Sequence, residues 1–128
     1  MATLPRRMGG GHSVLVVDDE PSIRLLCKVN LELEGYRVLE AETLDEARRH
    51  LRESSISVVL LDVHVGPDDG RELVDEIRAE HPSLPIALFS GTSGYEAVTG
   101  GADAVIPKPF VLEQLIGTVA RLAPAARV

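Results

Sequence analysis

The chain has one cysteine, no tryptophan, two tyrosines and two phenylalanines in 128 residues. Cys27 alone excludes an intrachain disulfide, and no residue set has the spacing of a zinc site. So few aromatics imply an aliphatic core and leave no platform for stacked bases. Lysine is nearly absent too, with Lys28 and Lys108 the only two. The 13 basic residues face 20 acidic ones, for a formal net charge of −7. That balance argues against a nucleic-acid partner, which would need a basic face. No apolar run exceeds four residues, against the roughly 20 needed to cross a bilayer. Arg6 and Arg7 are followed by no apolar stretch, so the start does not read as a signal peptide. The expected setting is reducing and cytoplasmic, with no membrane partner.

What is present is a folded chain of one-domain size, 45% apolar and 26% charged. Residues 1–13 contain Pro5 and a glycine run, and read as an arm outside the fold. From Val14 onward, short aliphatic runs alternate with helix-length amphipathic stretches. The runs are 14–17, 36–41, 57–61, 85–89 and 104–106. Pro21 suits a first helical turn, and Ile23, Leu26, Cys27, Asn30 and Leu31 follow at helical spacing. Thr43 and Glu46 form a capping box that opens a second helix. Gly66, Pro67 and Gly70 supply turn chemistry before a third helix over 71–80. A last helix covers 111–122, and residues 123–128 read as a tail. Residues 90–103 hold four glycines, which predicts a shortened fourth helix.

Strands alternating with helices predict a flavodoxin-like α/β fold. Its doubly wound, five-stranded parallel sheet would have the order 2-1-3-4-5. Ligands of such sheets bind beyond the C-terminal strand ends. The residues there are Asp18 and Asp19, then Asp62, Ser90 and Lys108. Three converging carboxylates repel one another unless a cation or proton offsets them. A hard divalent ion such as Mg²⁺ fits oxygen ligands of this kind. With the lysine and the hydroxyl, the set suits phosphoryl transfer to a carboxylate. Each residue alone has a plainer reading, as a turn, a helix start or a surface charge. The pattern at four strand ends is what gives them meaning together.

Four segments resemble the receiver domain of two-component response regulators. They are Val14-Leu-Val-Val-Asp-Asp-Glu20, Val58-Val-Leu-Leu-Asp62 with Asp69-Gly70, Ser90-Gly91, and Ala104-Val-Ile-Pro-Lys-Pro-Phe110. The resemblance implies that Asp62 accepts a phosphoryl group from a sensor histidine kinase or phosphotransfer protein. It implies Mg²⁺ held by Asp18, Asp19, Asp62 and the backbone carbonyl of His64. Ser90 would fill the Ser/Thr switch position and Lys108 would meet the phosphoryl oxygens. His64, Gly91 and Thr92 would tune the phosphoryl lifetime. The Lys108–Pro109 bond is commonly cis in the family. Kinases of the family dock near Ser22, Ile23 and Leu26 on the first helix and at Pro109 and Phe110. For Leu26 itself, core packing is the expectation.

Three features depart from the family pattern. Gly66 stands where a proline is usual. Val105 occupies the switch position normally held by an aromatic on strand five. The fourth helix reads about one turn short. With six residues after Leu122, the expectation is a bacterial single-domain receiver that signals through an unidentified downstream protein. It would catalyse only its own phosphorylation and dephosphorylation. The alternative is a pseudo-receiver, never phosphorylated, that binds partners constitutively. A phosphatase of the haloacid-dehalogenase type would usually need an acid where His64 stands. Cys27 is expected to be a small buried hydrophobe. Arg48, Arg49 and Arg52 are expected to form a solvated face beside Glu42, Asp45 and Glu46. Tyr95 is read as covering the short segment rather than replacing the switch aromatic.

Overall fold

In the computed structural model, residues 11–91 and 101–125 are described. Strand β1, Ser13–Val17, is buried at every position. Its β-branched and aliphatic side chains alternate between the two faces of the sheet. Leu15 and Val17 enter one apolar cluster, while Val14 and Val16 enter the other. Helix α1, Pro21–Leu33, starts with a proline in its first turn. It closes at Gly35, whose φ of 95° is a left-handed conformation that glycine adopts readily. There the Tyr36 N–H donates back to the Leu31 carbonyl.

Strand β2 is Arg37–Ala41 and helix α2 is Leu44–Glu53. Thr43 caps α2 by accepting from the Glu46 N–H at 3.1 Å. The Glu46 carboxylate reaches back one residue beyond the cap, to the Glu42 N–H. Strand β3, Val58–Asp62, is buried throughout. Two short strands follow, β4, His64–Val65, and β5, Asp68–Asp69, paired antiparallel. Helix α3 is Arg71–Glu80, and strands β6, Ile86–Ser90, and β7, Ala104–Pro107, complete the sheet. Helix α4, Leu112–Ala125, runs past the predicted end at Leu122.

The large sheet has the order β2-β1-β3-β6-β7, parallel at every pairing. Counted along the chain, its strands follow the predicted 2-1-3-4-5. Helices α2 and α3 cover one face through Leu44, Ala47, Leu73, Val74 and Ile77. Helices α1 and α4 cover the other through Cys27, Leu31, Leu115 and Val119. Asp62 pairs with Phe89, and Ser90 with Pro107. That register brings the C-terminal strand ends to one edge.

Several local features differ from the sequence reading. Ser13, read as the end of an arm outside the fold, opens β1 and is buried, as is His12 beside it, whose carbonyl accepts the Arg37 N–H of β2. The glycine-rich turn after β3 is a small hairpin, with Gly66 at φ 60° between its strands. Leu26 is 42% exposed rather than in the core. Cys27 and Leu31 already face inward, and Leu26 lies about 100° around the helix from Cys27. The predicted short fourth helix falls mainly on residues 92–100, outside the described residues.

Candidate functional site

The first acidic residue, Asp18, directly follows β1 and is fully buried. Its N–H donates to the Ala41 carbonyl at 3.1 Å, which ties the loop to β2. Its carboxylate accepts from the Glu20 N–H at 2.9 Å and from Lys108 Nζ at 2.9 Å. Burial pushes the Asp18 carboxyl above the usual carboxylate range, and Asp62 nearby adds to the rise. The hydrogen bonds from Glu20 and Lys108 pull the other way.

Asp62 ends β3 and is 8% exposed. It accepts from the His64 N–H at 3.2 Å and from Lys108 Nζ at 3.0 Å. Carboxylate oxygens of Asp18, Asp19 and Asp62 all lie within 4.8 Å of one another. Lys108 sits between Asp18 and Asp62, with Glu20 at 3.8 Å. Burial opposes its charge, but hydrogen bonds to the two aspartates hold the ammonium pKa above its ordinary value. Three carboxylates against one ammonium leave local negative charge uncompensated. The possible ligand atoms are all carboxylate oxygens, two of the three on buried residues. That donor set fits a hard divalent cation.

Backbone contacts hold these side chains in place. The Lys108 N–H donates to the Ser90 carbonyl at 2.7 Å. The Lys108–Pro109 peptide is cis. Ser90 is buried at the end of β6, and Gly91 beside it has open space where a Cβ would lie. Gly70 packs against Asp62 so closely that a Cβ there would overlap the Asp62 carbonyl oxygen. Phe89 and Phe110 stack with centroids 5.4 Å apart, and Lys108 Nζ lies 5.6 Å from the Phe89 centroid.

The other predicted positions are dispersed around this edge. Ser22 and Pro109 are exposed, while Ile23 and Phe110 are half-buried against the α1 and α4 side of the core. Val105 is half-buried against the opposite cluster. Thr92 and Tyr95 lie outside the described residues. Cys27 is buried, and desolvation pushes its thiol up to about 12. Arg48 pairs with Asp45 as predicted, and also with Glu76 on α3.

Two partners of the cluster were not visible in the sequence. Glu20 approaches Lys108, and Arg24 donates to the Asp18 carbonyl at 2.7 Å. Both reach back from the start of α1. Only the acidic run before Pro21 hinted at the first, and nothing in the spacing pointed to the second.

A family model described as "Response regulator receiver domain" matches residues 14–120. The chain belongs to the response regulator receiver family. The receiver of NtrX from Brucella abortus is 35% identical and superposes with a TM-score of 0.81. That match covers 87% of this chain and 98% of the other. The Francisella response regulator 1452 receiver domain has a TM-score of 0.81 at 26% identity. It covers 88% of this chain and 97% of that one. Among curated relatives, the nitrogen assimilation regulatory protein NtrX of Azorhizobium caulinodans is 34% identical. That match spans 91% of this receiver and 27% of the relative. The virulence transcriptional regulatory protein PhoP of Salmonella typhimurium is 31% identical, over 85% of this chain and 50% of its own length. The chain thus spans half the length of these relatives or less.

Proposed function

We propose that this receiver accepts a phosphoryl group on Asp62 from a histidine kinase or phosphotransfer protein. The observation that carries this reading is the placement of Asp62. It is nearly buried, lies beside Asp18 and Asp19, and is hydrogen-bonded by Lys108 and the His64 N–H. Asp18, Asp19, Asp62 and the His64 carbonyl would hold Mg²⁺. The ion would supply positive charge where the phosphoryl oxygens meet the carboxylates.

Transfer forms a P–O bond to an Asp62 carboxylate oxygen as the P–N bond of phosphohistidine breaks. The electron pair of that bond leaves with the imidazole. Lys108 holds Asp62 before transfer and donates to a phosphoryl oxygen after it. The Ser90 hydroxyl donates to another. His64, Gly91 and Thr92 would shape water access, and open space at Gly91 favours it. The new phosphoryl adds about one negative charge and strong acceptor oxygens to the edge. Val105 leaves no aromatic at the switch position, so coupling would run through neighbouring segments.

Among the described residues no helix is long and apolar enough to cross a membrane. We place the protein in the bacterial cytoplasm, with a protein partner for output.

Acetyl phosphate with Mg²⁺ tests the phosphoacceptor directly. The wild type is expected to gain one phosphoryl mass, and chelation of Mg²⁺ or Asp62→Asn to abolish the gain. Equal labelling of Asp62→Asn would sink Asp62 as the acceptor. No labelling, together with no Mg²⁺-dependent beryllofluoride binding, would establish the constitutive binding module instead.

A further inference from the structure

Arg24 lies in the first turns of α1, at the edge of the acidic cluster. Its side chain is 14% exposed, against 27–35% for Arg48, Arg71 and Arg78. A largely buried cation beside carboxylates that would hold another cation competes with it electrostatically, so its presence needs a reason. The geometry supplies one. Nη1 donates to the Asp18 main-chain carbonyl at 2.7 Å, and Nε lies 3.4 Å from the Glu40 carboxylate on β2. The Asp18 N–H is meanwhile held by the Ala41 carbonyl, one residue beyond Glu40. Both backbone ends of Asp18 are therefore anchored to the same stretch of β2.

The Asp18 carbonyl and the Asp19 N–H belong to one planar peptide unit. Fixing the carbonyl fixes the direction in which Asp19 leaves that plane. Asp18 has its own restraints, from Glu20 and Lys108. Among the described residues the Asp19 carboxylate has no hydrogen bond or ion pair of its own. The backbone alone aims it at the cluster. Glu40 offsets the guanidinium charge, so the clamp places little net positive charge near the carboxylates.

We propose that Arg24 is a positioning residue that orients the Asp18–Asp19 peptide, and through it Asp19, for Mg²⁺ binding. This rests on the metal reading under Proposed function. The sign of the effect separates positioning from simple electrostatics. Arg24→Met removes a positive charge near the site, which by Coulomb attraction alone would tighten cation binding. Positioning predicts the reverse, since partners that orient metal ligands typically contribute about tenfold or more to affinity.

Mg²⁺ affinity of the full chain is measured by isothermal calorimetry, with no phosphodonor present. Arg24→Met is expected to weaken binding about tenfold. Arg24→Lys keeps the charge and loses the planar fork, and is expected to shift affinity the same way by less. It also serves if Arg24→Met does not fold. Ile77→Val, a core truncation on the α3 side, controls for general destabilisation and should leave affinity unchanged. Unchanged or tighter Mg²⁺ binding by a folded Arg24 variant overturns the inference. So does an equal loss in Ile77→Val. Wild type that binds no Mg²⁺ overturns the metal reading and this inference together.

Discussion

Asp18 carries a charge that the fold accommodates at a cost. It is fully buried and its carboxyl is pushed up, chiefly by desolvation. A folded pKa above the unfolded one means the ionised form loses stability at neutral pH, and that the loss disappears in acid. Asp18→Asn mimics the neutral carboxyl. Without divalent cations it should therefore stabilise the fold. Added Mg²⁺ should raise the melting temperature of the wild type and leave that of Asp18→Asn nearly unmoved. Thermal melts with chelator and with Mg²⁺ check both halves, and a destabilised variant would refute the first. At this scale Asp18, Asp19, Asp62, Ser90 and Lys108 were legible because each follows an apolar run. Arg24 was not, because a side chain reaching back from a helix leaves no periodic trace, and Glu20 was hinted at only by the acidic run before Pro21. Leu26 was misread because helical spacing alone does not say how wide the buried stripe is.

The hairpin of β4 and β5 is an element the sequence did not show. Two-residue strands bury too little to set an apolar alternation, and its glycines read only as a turn. It is held where it meets α3. Asp69 takes two-pronged hydrogen bonds from the Arg71 guanidinium and accepts the Arg71 N–H at 2.9 Å. Arg71 holds the Asp69 carboxyl down to about 2. A depressed folded pKa contributes stability above the unfolded value, 3.8, which is lost as pH falls through about 2. Asp69 is 40% exposed, so solvent screening keeps this to about 0.5 kcal/mol. Asn at this position can still accept the Arg71 N–H, which isolates the charge. Urea unfolding should show Asp69→Asn slightly less stable at pH 7, with the gap shrinking at pH 3. A gap that is constant across pH would mean the ion pair contributes nothing. The long elements were legible for the opposite reason, since fully buried parallel strands appear as unbroken aliphatic runs.

Over the whole molecule, apolar exposure is uneven. Leu25, Leu26, Val29 and Leu33 all lie on the outer side of α1 and are 42–64% exposed. Val111, at 58%, precedes α4 and follows the Pro109–Phe110 corner. An apolar helix face of this kind usually marks an interaction site. Ser22 begins the same outer side, beside the acidic cluster at the start of the helix. A kinase seated there would bring its phosphohistidine to Asp62 while covering Leu26. Placing a charge in that contact should cost about 1–2 kcal/mol of binding, or roughly tenfold. Leu26→Asp is therefore expected to slow phosphotransfer from the cognate kinase by about that factor. Leu26 is not in the core, so the fold and labelling by acetyl phosphate should be unchanged. Acetyl phosphate is too small to use the helix face, and this comparison separates docking from chemistry. Kinase transfer at the wild-type rate would move the docking surface away from α1. Loss of labelling with both donors would show instead that Leu26 supports the acidic cluster.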